Sequence, residues 1–138
     1  MRPYSDLMSP NGSGSGHYVE LLEAKFLELI HQLLLQVEVD EDWYLASYRD
    51  VDDAFRSGEL KSARAHYVRA GYFENRFPRP VRVDEQWYLA EYPDVADAIQ
   101  SGAFLSASQH FERDGFREGR LPYAGWSLLG NALQTELA

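Results

Sequence analysis

The residues of this chain that could do chemistry come in pairs, 44 positions apart. His66 and His110 are the first pair. A histidine can serve as a general base or a metal ligand. Each of these sits on the apolar stripe of a short helical stretch, with no second histidine, aspartate or glutamate at ligand spacing. The His-Glu-x-x-His pattern that sets two ligands on one helical turn is missing from both. The spacing predicts two core histidines, each hydrogen-bonded to a backbone carbonyl. Trp43-Tyr44 and Trp87-Tyr88 are the second pair. Adjacent helical residues point about 100° apart, so both rings of a pair cannot serve one packing face. All four are therefore candidates for glycan stacking, set against the ordinary use of large rings in a small core. Glu74-x-Arg76 and Glu118-Gly119-Arg120 could clamp a polar ligand, because a guanidinium fork suits hydroxyls and carboxylates. Their ordinary role is to tie a loop to the carbonyls of the preceding helix. Asp50, Asp52 and Asp53 invite calcium, but the twelve-residue loop with its central glycine and terminal glutamate is missing. No nucleophile elbow, phosphate loop or dinucleotide fingerprint is present. The chain reads as a non-enzyme without cofactor or metal.

Pairing of this kind follows from a duplicated sequence. Residues 37–80 recur without a gap as residues 81–124. Val39-Asp40-Glu41 returns as Val83-Asp84-Glu85, and Gly71, Glu74, Arg76 and Pro78 as Gly115, Glu118, Arg120 and Pro122. A fixed period of this length marks one supersecondary unit used twice. Two copies also argue against a single asymmetric catalytic site, and for a scaffold or binding module.

Each copy parses into three short helices. Asp40 and Asp84 are N-cap candidates, with glutamate in the first turn to suit the helix dipole. Pro93 suits the first position of a second helix, which carries Val95, Ala98 and Ile99, or Val51, Ala54 and Phe55 in the first copy. Gly58 and Gly102 stop it. Ser62 and Ser106 cap a third helix, and Gly71 and Gly115 are expected to end it in the left-handed conformation. Trp126, Leu129, Leu133 and Leu137 are spaced as a short C-terminal helix over 125–138.

Ahead of the repeats, 17–36 has the pattern of an amphipathic helix. Val19, Leu22, Phe26, Leu29 and Leu33 are three and four apart, with Ile30 widening the stripe. That stripe is expected to pack on the chain's own repeats. Leu27 and Leu34 fall outside it, and a second apolar strip asks for a partner, most simply another copy of the chain. All eight residues are thus assigned to an oligomerisation helix. Residues 1–16 hold a Gly/Ser-rich run with few apolar residues. They are read as a flexible docking peptide anchored by Pro3, Tyr4, Leu7 and Met8. The expected fold is all-α: an N-terminal amphipathic helix, two tandem three-helix repeats, and a short C-terminal helix.

Composition narrows the partners. A net charge of −9 argues against nucleic acid, which asks for a basic stripe, and against anionic membrane surfaces. No apolar run approaches the roughly 20 residues of a membrane span, and no secretory signal pattern opens the chain. There is no cysteine, which removes disulfides and thiolate sites. The expected localisation is cytoplasmic synthesis, with incorporation into an exported or virion-like particle.

The second copy carries a resemblance: Trp87-Tyr88-Leu89-Ala90-Glu91-Tyr92-Pro93-Asp94-Val95, then His110-Phe111 and Gly115 to Pro122. It resembles a short helical repeat of bacterial proteins that accompany surface-polysaccharide work. The first copy departs from that pattern at Arg49, Asn75 and Phe77. In layout the chain is also similar to head-spike base proteins of phage-like gene transfer particles. These resemblances imply a self-associating adaptor that attaches to a larger assembly and has a polysaccharide as a further partner. The alternative they leave is an accessory docking subunit of a surface-polysaccharide biosynthesis enzyme.

Overall fold

The computed structural model describes residues 19–130, and every regular element in that range is helical. Helix α1 runs Glu23–Leu34, α2 Glu41–Ser47 and α3 Arg49–Arg56. Helix α4, Ala63–His66, widens directly into a π-helical turn, Tyr67–Gly71. The series then repeats as α5 Glu85–Glu91, α6 Pro93–Gln100, α7 Ala107–His110 and a second π turn, Phe111–Gly115. The all-α expectation holds, and each element from α2 to the first π turn has a counterpart 44 residues later.

Side-chain caps set the helix starts. The Asp40 carboxylate accepts from the Trp43 N–H, and Asp84 from Trp87, both at 3.0 Å. The Ser62 and Ser106 hydroxyls accept from Ala65 and Gln109, also at 3.0 Å. These bonds take up N–H groups that the first turn leaves without a helical acceptor. Glu85 adds to this by reaching α7, where it accepts from the Ala107 and Ser108 amides and the Ser108 hydroxyl. The break between the first two helices falls at Tyr48 and Tyr92, with φ near −120° in both. Arg49 follows the first break and Pro93 the second, so proline is not the cause. The tyrosines themselves are tied down: Tyr48 Oη accepts from the Phe77 amide at 2.8 Å, and Tyr92 Oη from Leu121 at 2.9 Å.

Three sequence expectations change. The first helix begins at Glu23, with Val19 to Leu22 outside it, because no Ser, Thr, Asp or Asn between His17 and Leu22 can cap an earlier start. Gly71 and Gly115 do not take the left-handed conformation; that falls to Asn75, with φ 57°, and to Gly119, with φ 76°. What holds residues 71 and 115 to glycine is contact. A Cβ at either position would collide with the hydroxyl of Tyr44 or Tyr88. Lastly, Trp126 and Ser127 are irregular and Leu128 to Gly130 form a turn rather than a helix, while Leu133 and Leu137 lie outside the described residues.

Two buried clusters hold the fold. One gathers Leu34, Val37, Val39, Tyr44, Val51, Ala63 and Tyr67, with Leu129 from the far end of the chain against it. The other gathers Val83, Tyr88, Val95, Ala107 and Phe111. Phe77 links the copies by tilted ring contacts with Phe111 and Phe116, and Trp126 meets the same two rings edge-on.

Candidate functional site

The paired polar residues fasten the fold. Tyr44 Oη and His66 Nδ1 are 3.0 Å apart, and Tyr88 Oη and His110 Nδ1 are 2.9 Å apart. The histidine partner is therefore a tyrosine hydroxyl and not the backbone carbonyl expected. His110 is buried, whereas His66 is half-buried. Burial lowers the pKa of His66, and the nearby Arg76 guanidinium adds to that. Arg76 forks onto both oxygens of Asp50, at 2.8 and 2.6 Å, and bonds Glu74 at 2.6 Å. Arg120 does the same with Asp94 and Glu118. Each guanidinium also lies over a tyrosine ring, Tyr48 or Tyr92, 4.9 Å from its centroid. The loop is thus tied to the first turn of the second helix through a carboxylate rather than to helix carbonyls. The Arg76 bond holds the Asp50 carboxyl at about 2. Both arginines have their fork occupied, which leaves no clamp for a ligand. Among the described residues, no cluster of three or more histidines and carboxylates could hold a metal.

The aromatic pairs separate cleanly. Tyr44 and Tyr88 are wholly buried, so neither can stack on a sugar. Trp43 and Trp87 are half-buried, each edge-on to a tyrosine at 6.1 Å. Trp43 lines a cavity of about 290 Å³ between the copies, with Phe77, Val81 and Glu112. Trp87 lines a wider cleft of about 670 Å³ with Arg82, Gln86 and Tyr123.

Helix α1 carries a row of exposed apolar side chains, and it faces opposite to the sequence expectation. Leu34 is 4% exposed and belongs to the first core cluster, with Ile30 packed beside it and Leu27 half-buried. The stripe expected to pack inward stands in solvent instead: Leu22 is 75% exposed, Leu29 57%, Phe26 52% and Leu33 43%, with Val19 leading in at 51%. Of that stripe only Ile30 packs inward; the rest is turned outward. The inner face is fixed by continuity, because Leu34 leads straight into Val37 and Val39, which are core. The spacing of the outer residues was the available signal. Positions 26, 29 and 33 are spaced by three and four, the narrow seam of a coiled coil, whereas a core-facing stripe is broader; Val19 and Leu22 continue that spacing in sequence but lie ahead of the helix. Pro3, Tyr4, Leu7 and Met8 lie outside the described residues.

No family model, curated protein or solved structure matches the chain. No helix among the described residues is long and apolar enough to cross a membrane.

Proposed function

We propose that this protein is a non-enzymatic structural adaptor. It self-associates through the outer face of α1 and attaches to a larger assembly through residues 1–16. Its two tandem three-helix repeats form the rigid body that the assembly displays, in keeping with the base of a surface or virion-like spike. Trp87, in its open cleft, is the ring that a polysaccharide would meet; Trp43 lies between the copies.

The observation that carries this reading is the exposed row Phe26, Leu29 and Leu33 on α1, with Val19 and Leu22 exposed in the extended segment ahead of it. Rows of this spacing are covered by another helix with the same row, which makes a second copy the natural occupant. Full burial of a large apolar side chain stabilises by about 1.5–3 kcal/mol, so covering these half-exposed ones gives about 1 kcal/mol each. Three from the helical row of each of two copies then give about 6 kcal/mol, against an association cost of about 4–15 kcal/mol. The net is small. Pairing should therefore depend on concentration and gain from attachment to a common base. Phe26→Glu with Leu29→Glu is the test. Both positions point away from the core, so circular dichroism should be unchanged while sedimentation equilibrium shows monomers only. Assembly that survives both glutamates would refute this role for α1.

A further inference from the structure

The two copies differ at one place where the difference opens a cavity. In the second copy, Phe104 is buried, with its ring 4.7 Å from that of His110, and the Arg113 guanidinium lies 4.1 Å above it. The aromatic ring fills the space beside the histidine. In the first copy, Leu60 stands at the position of Phe104, and Glu59 at that of Ala103. Leucine leaves that space empty. A cavity of about 310 Å³ results, lined by Asp50, Val51, Ala54, Glu59, Leu60, His66 and Arg69. That volume is at the lower end of ligand pockets.

The lining has a definite chemistry. Asp50 is paired with the Arg76 fork, which Glu74 shares, and His66 has its Nδ1 engaged by Tyr44. That leaves one free anion, Glu59, and one free cation, Arg69, which form no ion pair with each other or with any described residue. Val51, Ala54 and Leu60 supply an apolar floor between them. We propose that the first copy binds a small zwitterion with an aliphatic body, its ammonium at Glu59 and its carboxylate at Arg69, and that Phe104 closes the same site in the second copy. His66 Nε2 offers a third polar contact. The site is independent of α1 and of self-association.

L-leucine is the probe, followed by amide and imidazole NMR shifts of the full chain. Saturable shifts are expected at His66, Leu60 and Arg69, with a dissociation constant of about 1 mM or tighter. Isovalerate lacks the ammonium and isoamylamine lacks the carboxylate; each should bind at least about tenfold more weakly. Glu59→Ala with Leu60→Phe gives the first copy the residues that the second already folds with, and should abolish the shifts. Ala103→Glu with Phe104→Leu should create a second set around His110. The proposal is overturned if wild-type protein shows no saturable shift at about 10 mM. It is also overturned if the Leu60→Phe variant binds unchanged, or if either half-ligand binds as well as L-leucine.

Discussion

Tyr67 and Phe111 occupy the same place in the two copies and are both wholly buried, so they differ by one hydroxyl in a core. Among the described residues, Tyr67 Oη finds no hydrogen-bond partner. A buried polar group left unsatisfied costs about 1–3 kcal/mol. Tyr67→Phe should therefore stabilise the protein by about 1 kcal/mol, and Phe111→Tyr should destabilise it by a similar amount, both read from urea midpoints. Loss of stability in Tyr67→Phe would mean that the hydroxyl has a partner. At the same scale, acid should act in two stages. His66 has a folded pKa below its ordinary 6.5, because of burial and of the balance among Arg76, Glu74, Asp50 and Arg69 around it. The unfolded chain then binds the proton more readily, so stability present above pH 6.5 is lost as pH falls through the lower folded value. Asp50 follows, between its ordinary 3.8 and about 2, with Asp94 shifted the same way by Arg120. Both carboxylates are mostly solvent-exposed, so this second stage should be shallow and weakened by salt. Thermal midpoints across pH 7 to 2 check the sign, and Asp50→Asn should flatten the lower stage.

Among the elements, legibility in the sequence tracked local chemistry. The caps at Asp40, Ser62, Asp84 and Ser106 were readable because capping depends on a side chain and the amide three residues on. Gly71 and Gly115 were recognisable as obligatory glycines, yet for the wrong reason. The tyrosine hydroxyl that excludes a Cβ comes from 27 residues away, and no local pattern encodes it. Phe104 carries no signal in the sequence, since one aromatic in a loop has no periodicity to mark it. The outward turn of the α1 stripe has the same root. An amphipathic helix states that it has an apolar side but not which side meets its own domain, and here both sides are apolar. Truncation separates the two. Leu34→Ala removes a core contact and should cost about 2–5 kcal/mol. Leu29→Ala removes an exposed side chain and should leave the unfolding of dilute protein within about 0.5 kcal/mol. Equal costs, measured by denaturant titration at low concentration, would show that both faces are buried in the same structure.

For the molecule as a whole, duplication has kept the fasteners identical while the exposed parts diverged. The Tyr–His bond and the Arg–carboxylate fork appear in both copies at nearly equal lengths. The outer face of α1 precedes both copies, and the cavity beside His66 is lined by Glu59 and Leu60 where the second copy has Ala103 and Phe104. That division suits a body built by repetition and employed through the surfaces that differ. On the proposed function, the exposed outer face of α1 is the surface that joins copies of this chain. The direct measurement is the absolute molar mass of the purified full chain by light scattering, from micromolar to near-millimolar concentration. The predicted result is a mass that rises with concentration toward an integral multiple of 15.8 kDa. A mass that stays at the single-chain value across the whole range would contradict it.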